Sequence, residues 1–136
     1  IPPLLMLLSD MHEESPVDFG NINWEKTMRN VLTSIESGAC FIAEHDGEVV
    51  GSVGGHFGSE WFTDRKTLGD LWFYVRPDNR ATKAGHDLLT AFKQLGNETG
   101  VPVRMGHVFG EDVDRKDAFF ERHGFKRIGT SYAEGM

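Results

Sequence analysis

The stretch Leu71-Trp72-Phe73-Tyr74-Val75-Arg76-Pro77-Asp78-Asn79-Arg80-Ala81-Thr82-Lys83-Ala84-Gly85-His86-Asp87-Leu88-Leu89 reads as a buried strand, a tight turn and the opening of a helix. Successive β-formers run up to Pro77, which has no N–H to give a sheet ladder, and Asp78-Asn79 favours a turn, so the strand stops near Arg76. From Ala84 onward, Ala84, Leu88, Ala91, Phe92 and Leu95 fall at helical spacing, and a helix is expected from about Thr82 or Lys83.

The first N–H groups of a helix have no partner inside it, and its dipole is positive at that end. Arg80, Lys83 and the amides of Ala81, Thr82, Lys83, Ala84 and Gly85 would then meet an incoming anion, for which a phosphate group is a fit. On spacing alone, a βα turn with a solvated Arg and Lys is an equal alternative.

These residues resemble the acyl-coenzyme A motif of the GNAT family of N-acyltransferases, commonly a Val-x-Pro strand end followed by Arg-Gly-x-Gly-x-Gly/Ala and Leu-Leu. Val75, Pro77, Arg80, Gly85, Leu88 and Leu89 match, while Ala81 and Lys83 stand where the family has glycines. A second segment, Asp117-Ala118-Phe119-Phe120-Glu121-Arg122-His123-Gly124-Phe125, resembles the family's Ala followed by Phe-Tyr-x-x-x-Gly-Phe. The likeness runs from about Leu4 to Tyr132 and is greatest to short bacterial and phage members. It implies an α/β fold of the α+β type, with a mixed central sheet and helices on both faces, and one acyltransferase domain over residues 1–136.

Length and composition agree with such a domain. A chain of 136 residues, 39% hydrophobic and 26% charged, can build one core but not two. The net charge of −7 argues against non-specific nucleic-acid binding and suits an amine substrate better. The lone Cys40 leaves no internal disulfide or cysteine-based zinc site, and the six His show no His-x-x-x-His pair with a neighbouring ligand, so no metal is expected. Neither a Gly-x-x-x-x-Gly-Lys-Ser/Thr loop nor a Gly-x-Gly-x-x-Gly fingerprint is present. The apolar opening Ile1 to Leu8 lacks a basic leader and the length to cross a bilayer, and reads as a first helix. Cytoplasm is the expected compartment, and a first strand is expected to be missing ahead of Ile1.

The remaining elements follow in order. Helix one runs from Pro2-Pro3 to about Ser15, and Asn23 caps a second helix carrying Trp24, Met28, Val31, Leu32 and Ile35, with Trp24 read as a core residue and a substrate contact by Trp24 or Phe19, implied by the resemblance, as the alternative. Cys40–His45, the turn Asp46-Gly47 and Glu48–Phe57 form a hairpin, in whose second strand Gly51, Gly54 and Gly55 suggest either a bulge, a close approach or a simple bend. The central strand spans about Lys66 to Arg76. Val101–Phe109 is the next strand, Asp114 caps a short helix ending at Gly124, and Lys126–Tyr132 is the last strand.

The resemblance implies transfer of an acyl group, most often acetyl, from acetyl coenzyme A directly to an amine of a small molecule or peptide. The pyrophosphate falls to Arg80 and the Ala81–Gly85 turn, pantetheine to the main chain of Phe73, Tyr74 and Val75, and Phe120 borders the cofactor. Asp70 is the closest candidate for the base that takes the amine proton, or else a strand-edge charge; Glu60, Glu13 and His56 are weaker alternatives. The family's acid, a Tyr that protonates the departing thiolate, should stand at Phe120, which has no proton to give. Tyr132, Tyr74 or water could substitute, or the step needs no acid because a coenzyme A thiolate is a tolerable leaving group, or the chain is a non-catalytic member that binds coenzyme A or a protein. Dimers are common in this fold.

Overall fold

A computed structural model of the chain describes residues 1–107 and 112–136. Two helices, α1 (Pro2–Glu14) and α2 (Trp24–Glu36), precede the hairpin of β1 (Cys40–His45) and β2 (Glu48–Gly58). There follow β3 (Thr67–Val75), a 3-10 turn (Pro77–Asn79), α3 (Ala84–Thr99), β4 (Val103–Arg104) and α4 (Val113–Arg122). The sheet has the order β1-β2-β3-β4, antiparallel up to β3, with β4 parallel to β3. It is the expected mixed sheet with helices on both faces.

Local chemistry sets the boundaries. Pro2 and Pro3 occupy the first turn of α1, where a missing N–H costs nothing, and the Asn23 side chain accepts from the Lys26 N–H to cap α2. Asp46 and Gly47 both take positive φ, as a two-residue hairpin turn requires. On one face of the sheet Leu4, Leu7, Leu8 and Val31 pack on Trp72 and Tyr74; on the other, Leu88 and Phe92 pack with Val53, Leu68 and Val75. Each such side chain, fully buried, contributes about 1.5–3 kcal/mol.

The glycines of β2 mark both a bulge and close approaches. Gly54 opposes Trp72 and Gly55 opposes Asp70, which leaves Leu71 as an extra residue on β3. A Cβ on Gly54 would lie 2.1 Å from Cζ2 of Trp72, and one on Gly55 would lie 2.5 Å from Cζ of Phe92. The Trp72 indole N–H donates to Ser52 Oγ at 2.9 Å, and that hydroxyl donates to the Phe41 carbonyl at 2.8 Å, so this buried polar pair is satisfied.

The C-terminal expectations need correction. Residues 126–132 form no strand: Ile128 and Tyr132 are exposed, so no alternating face is docked, and the described part of β4 is too short to template a neighbour. Val108 and Phe109, expected in the preceding strand, lie outside the described residues. Helix α4 begins at Val113, with Asp112 rather than Asp114 at the cap position and without a side-chain cap bond. Trp24 is half-exposed rather than part of the core. Among the described residues no helix is long and apolar enough to cross a membrane, and no cluster of three His, Cys, Asp or Glu side chains could hold a metal ion.

Replacing Gly54 with Ala should lower the unfolding free energy by about 1–3 kcal/mol, the usual cost of overpacking, because a buried indole rather than a flexible chain end must move. Urea denaturation of the two proteins measures this.

Candidate active site

Among the described residues β4 pairs with β3 at Leu68↔Val103 and Gly69↔Arg104. One residue further on, a side chain replaces the ladder: Oδ1 of Asp70 accepts from the Gly106 N–H at 3.0 Å. From there to Val75 no described strand lies along the outer edge of β3. The Arg76 N–H donates to the Val50 carbonyl at 2.8 Å, so the antiparallel alternation turns the main chain of Tyr74 and Trp72 toward β2 and that of Phe73 and Val75 toward the opening. The Tyr74 carbonyl, 3.0 Å from where a Cβ on Gly51 would be, agrees with this. Of the three main-chain positions expected to meet pantetheine, Phe73 and Val75 point to the opening and Tyr74 points to β2.

The turn beyond the strand is more committed internally than expected. The Arg80 guanidinium donates from Nη2 to Oε2 of Glu14 at 2.6 Å and from Nε to the Val75 carbonyl at 2.8 Å, and it lies 5.4 Å from the Tyr74 ring centroid. Its charge is met by the last turn of α1. Another oxygen of Glu14 accepts from the Tyr74 hydroxyl, and burial, with this contact added, pushes the phenol up to about 12. Tyr74 is thus a poor proton donor. The Thr82 N–H donates to Asn79, and the Ala84 N–H to Thr82 Oγ1 at 3.2 Å. Lys83, exposed at the N-cap, and the first-turn amides of Gly85 and His86 remain at the mouth of the opening.

Asp70 lies at the closed end of the gap, on the wall of a cavity of about 320 Å³ shared with His56, Glu60, Thr67 and Arg104. Burial raises its carboxyl from 3.8 to about 6, against the lowering effects of the Gly106 amide, its own amide and the charge of His107. Glu60 is ion-paired with Arg104, which leaves Asp70 better suited than Glu60 to hold a proton near neutral pH. A second cavity of about 260 Å³, between α1, α2 and β3, is lined by His12, Trp24, Leu71 and Trp72 among others.

One group escaped the sequence reading. Nε2 of His107 lies 2.7 Å from Oδ1 of Asp117, the ring stacks on Phe120 at 6.1 Å and 11°, and Phe120 meets Phe73 edge-on at 6.0 Å. Nδ1 of His107 is buried without a partner among the described residues, an arrangement that ordinarily costs about 1–3 kcal/mol. The signal was a histidine in an apolar run with an aspartate ten residues on, which is too common a pattern to read. Tyr132, the expected substitute acid, is 92% exposed in an irregular segment and lines neither cavity.

The sequence profile of the acetyltransferase (GNAT) domain matches residues 36–127. The chain belongs to the GNAT acetyltransferase family. Solved GNAT structures agree in fold. A ribosomal-protein-alanine N-acetyltransferase from Brucella melitensis superposes with a TM-score of 0.76 at 21% identity, covering 94% of this chain and 80% of that one. An aminoglycoside acetyltransferase from an uncultured soil metagenomic sample, in complex with sisomicin, gives 0.65 at 16% identity, covering 98% and 86%. AAC(6')-Iy, in complex with the bisubstrate analogue CoA-S-monomethyl-acetylneamine, gives 0.65 at 14% identity, covering 88% and 83%. A search of curated protein sequences gives no match.

Within this GNAT fold the raised carboxyl carries a stability signature. An unfolded Asp titrates near 3.8 and Asp70 near 6, so the folded state holds the proton more tightly and stability falls as pH rises from about 4 to about 6. Asp70→Asn keeps an acceptor for Gly106 and removes the buried charge. It should unfold at higher denaturant than the parent at pH 8, by up to about 3 kcal/mol, with the difference closing near pH 4. Chemical denaturation at the two pH values checks the sign.

Proposed function

We propose that the chain is a single-domain, cytoplasmic N-acetyltransferase that moves acetyl from acetyl coenzyme A to a primary amine. The observation that carries this is the outer edge of β3, along which no described strand lies between the partly buried carboxyl of Asp70 and the start of α3. In this reading Lys83, the Gly85 and His86 amides and the rest of the Ala81–Gly85 turn receive the pyrophosphate. The main chain of Phe73 and Val75 receives pantetheine, and one of its N–H groups polarises the thioester oxygen. Phe120 flanks the donor through its contact with Phe73. Acetyl coenzyme A supplies an activated acyl group, so the protein's work is to hold it, align the amine and take the amine's proton, which falls to Asp70.

The acceptor is a small-molecule or peptide amine. GNAT relatives named for aminoglycosides and for a ribosomal-protein alanine support that range. A second reading, a member that binds coenzyme A without turnover, draws on the engagement of Arg80 by Glu14 and on Phe120 in place of a tyrosine.

Acetyl coenzyme A at about 100 times its Kd should stabilise the protein by roughly 2.7 kcal/mol in a thermal melt, and absence of any shift would remove the donor assignment. An acetyl-transfer assay over aminoglycosides, polyamines and peptide N-termini separates the two readings. For the accepted amine, Asp70→Ala should lower kcat by about 100-fold or more.

A further inference from the structure

We propose that the acceptor is a monoamine carrying a single apolar group, which is held in the cavity between α1, α2 and β3, and that polycations are poor acceptors. The proposal rests on the acetyltransferase reading above and names the acceptor class for that same site.

The placement comes first. A Cβ on Gly54 would meet the Trp72 ring, and alternation along β2 puts His56 and Gly58 on that same face of the sheet, the one that α1 and α2 cover. Gly69 pairs with His56, and a Cβ on it would lie 3.7 Å from Cε1 of His56. The cavity beside Asp70, walled by His56, Gly58 and Gly69, therefore opens on the same face as the one walled by Trp24 and Trp72. The two adjoin along β3, because Asp70 lines one and Leu71, its neighbour at about 3.8 Å between Cα atoms, lines the other. A short linker thus joins a group seated against Leu71 and Trp72 to an amine at the Asp70 carboxyl.

The walls set the class. Met11, Ile22, Trp24, Leu71 and Trp72 give the α1–α2 cavity a largely apolar lining, and the one side chain on its wall that can carry charge, His12, would carry a positive one. Trp24 and Leu71 are 45% and 41% exposed, and a ligand would remove that apolar area from water. An apolar cavity of about 150 Å³ takes benzene, so one of about 260 Å³ has room for a phenyl ring or a branched alkyl group.

Further ammonium groups would lack a counter-charge. In the cavity beside Asp70 the carboxylates are Asp70, which takes the reacting amine, and Glu60, which is ion-paired with Arg104. At the end of α1, Asp10 and Glu14 are paired with Arg76 and Arg80. The second and third charges of a polyamine or aminoglycoside would shed water with no open carboxylate on either wall to meet them.

Acetyl transfer to phenethylamine, spermidine and kanamycin tests the class. The kcat/KM for phenethylamine should exceed the other two by about 10-fold or more, and spermidine or kanamycin at or above phenethylamine overturns the proposal alone. Trp24→Ala should raise the phenethylamine KM by about 10-fold with kcat near the parent's, while the melting shift given by acetyl coenzyme A stays unchanged; a KM within about twofold of the parent's overturns the proposal. In a readout independent of turnover, phenethylamine should alter the indole emission of the unmodified protein and spermidine should not, and unaltered emission with phenethylamine overturns the proposal. Absence of transfer to every amine of the panel overturns the parent reading and this one with it.

Discussion

Between Gly54 and Gly55 the pairing of β2 with β3 slips by one residue, so that Leu71 has no partner and the side chains on either side of it change their alternation. Trp72 and Tyr74 are thereby committed to α1 and α2, while Phe73 and Val75 turn toward α3. Asp70, which strict alternation would place on the same face as Trp72, is re-aimed toward Gly106 at the mouth of the gap. Without that extra residue the core and the candidate base could not both be served by one strand.

The slip is tolerated because β2 supplies glycine where the indole of Trp72 and the ring of Phe92 press on the backbone. Polar groups drawn into the same region are matched one by one: Trp72 to Ser52, Ser52 to Phe41, and the Gly55 amide to Ser34 Oγ. Nδ1 of His107 stands apart from this pattern, as does the carboxyl of Asp70, whose burial works against its charge. The two departures from thorough satisfaction lie at the same end of the gap. That is where a fold under selection for chemistry carries energetically unfavourable groups.

Most of the fold was legible in the sequence because its signals are local. The β3–turn–α3 unit, the Asn23 cap and the Asp46-Gly47 hairpin each depend on residues within a few positions of one another. What escaped depends on partners distant in the chain. Arg80 looked available because Glu14, sixty-six positions earlier, gives no sign in the motif. The orientation of the Tyr74 main chain follows from sheet register, not from residue type. His107 acquires meaning only when α4 brings Asp117 to it. The strand expected at 126–132 is absent where no described edge lies beside it, because β-propensity alone is a weak cause. The placement of Asp70 on β3 was legible, whereas its bond to Gly106 and its partial burial were not.

The three tryptophans have sharply different surroundings: Trp72 is buried and hydrogen-bonded, Trp24 is half-exposed, and Trp61 is almost wholly in water. Trp24 and Trp72 share the wall of the cavity between α1, α2 and β3, while Trp61 lines neither cavity. In optical terms the chain carries its own paired reporter and reference. A solute entering that cavity alters the emission of two indoles, the short-wavelength one included, and leaves the long-wavelength emission of Trp61 as an internal standard.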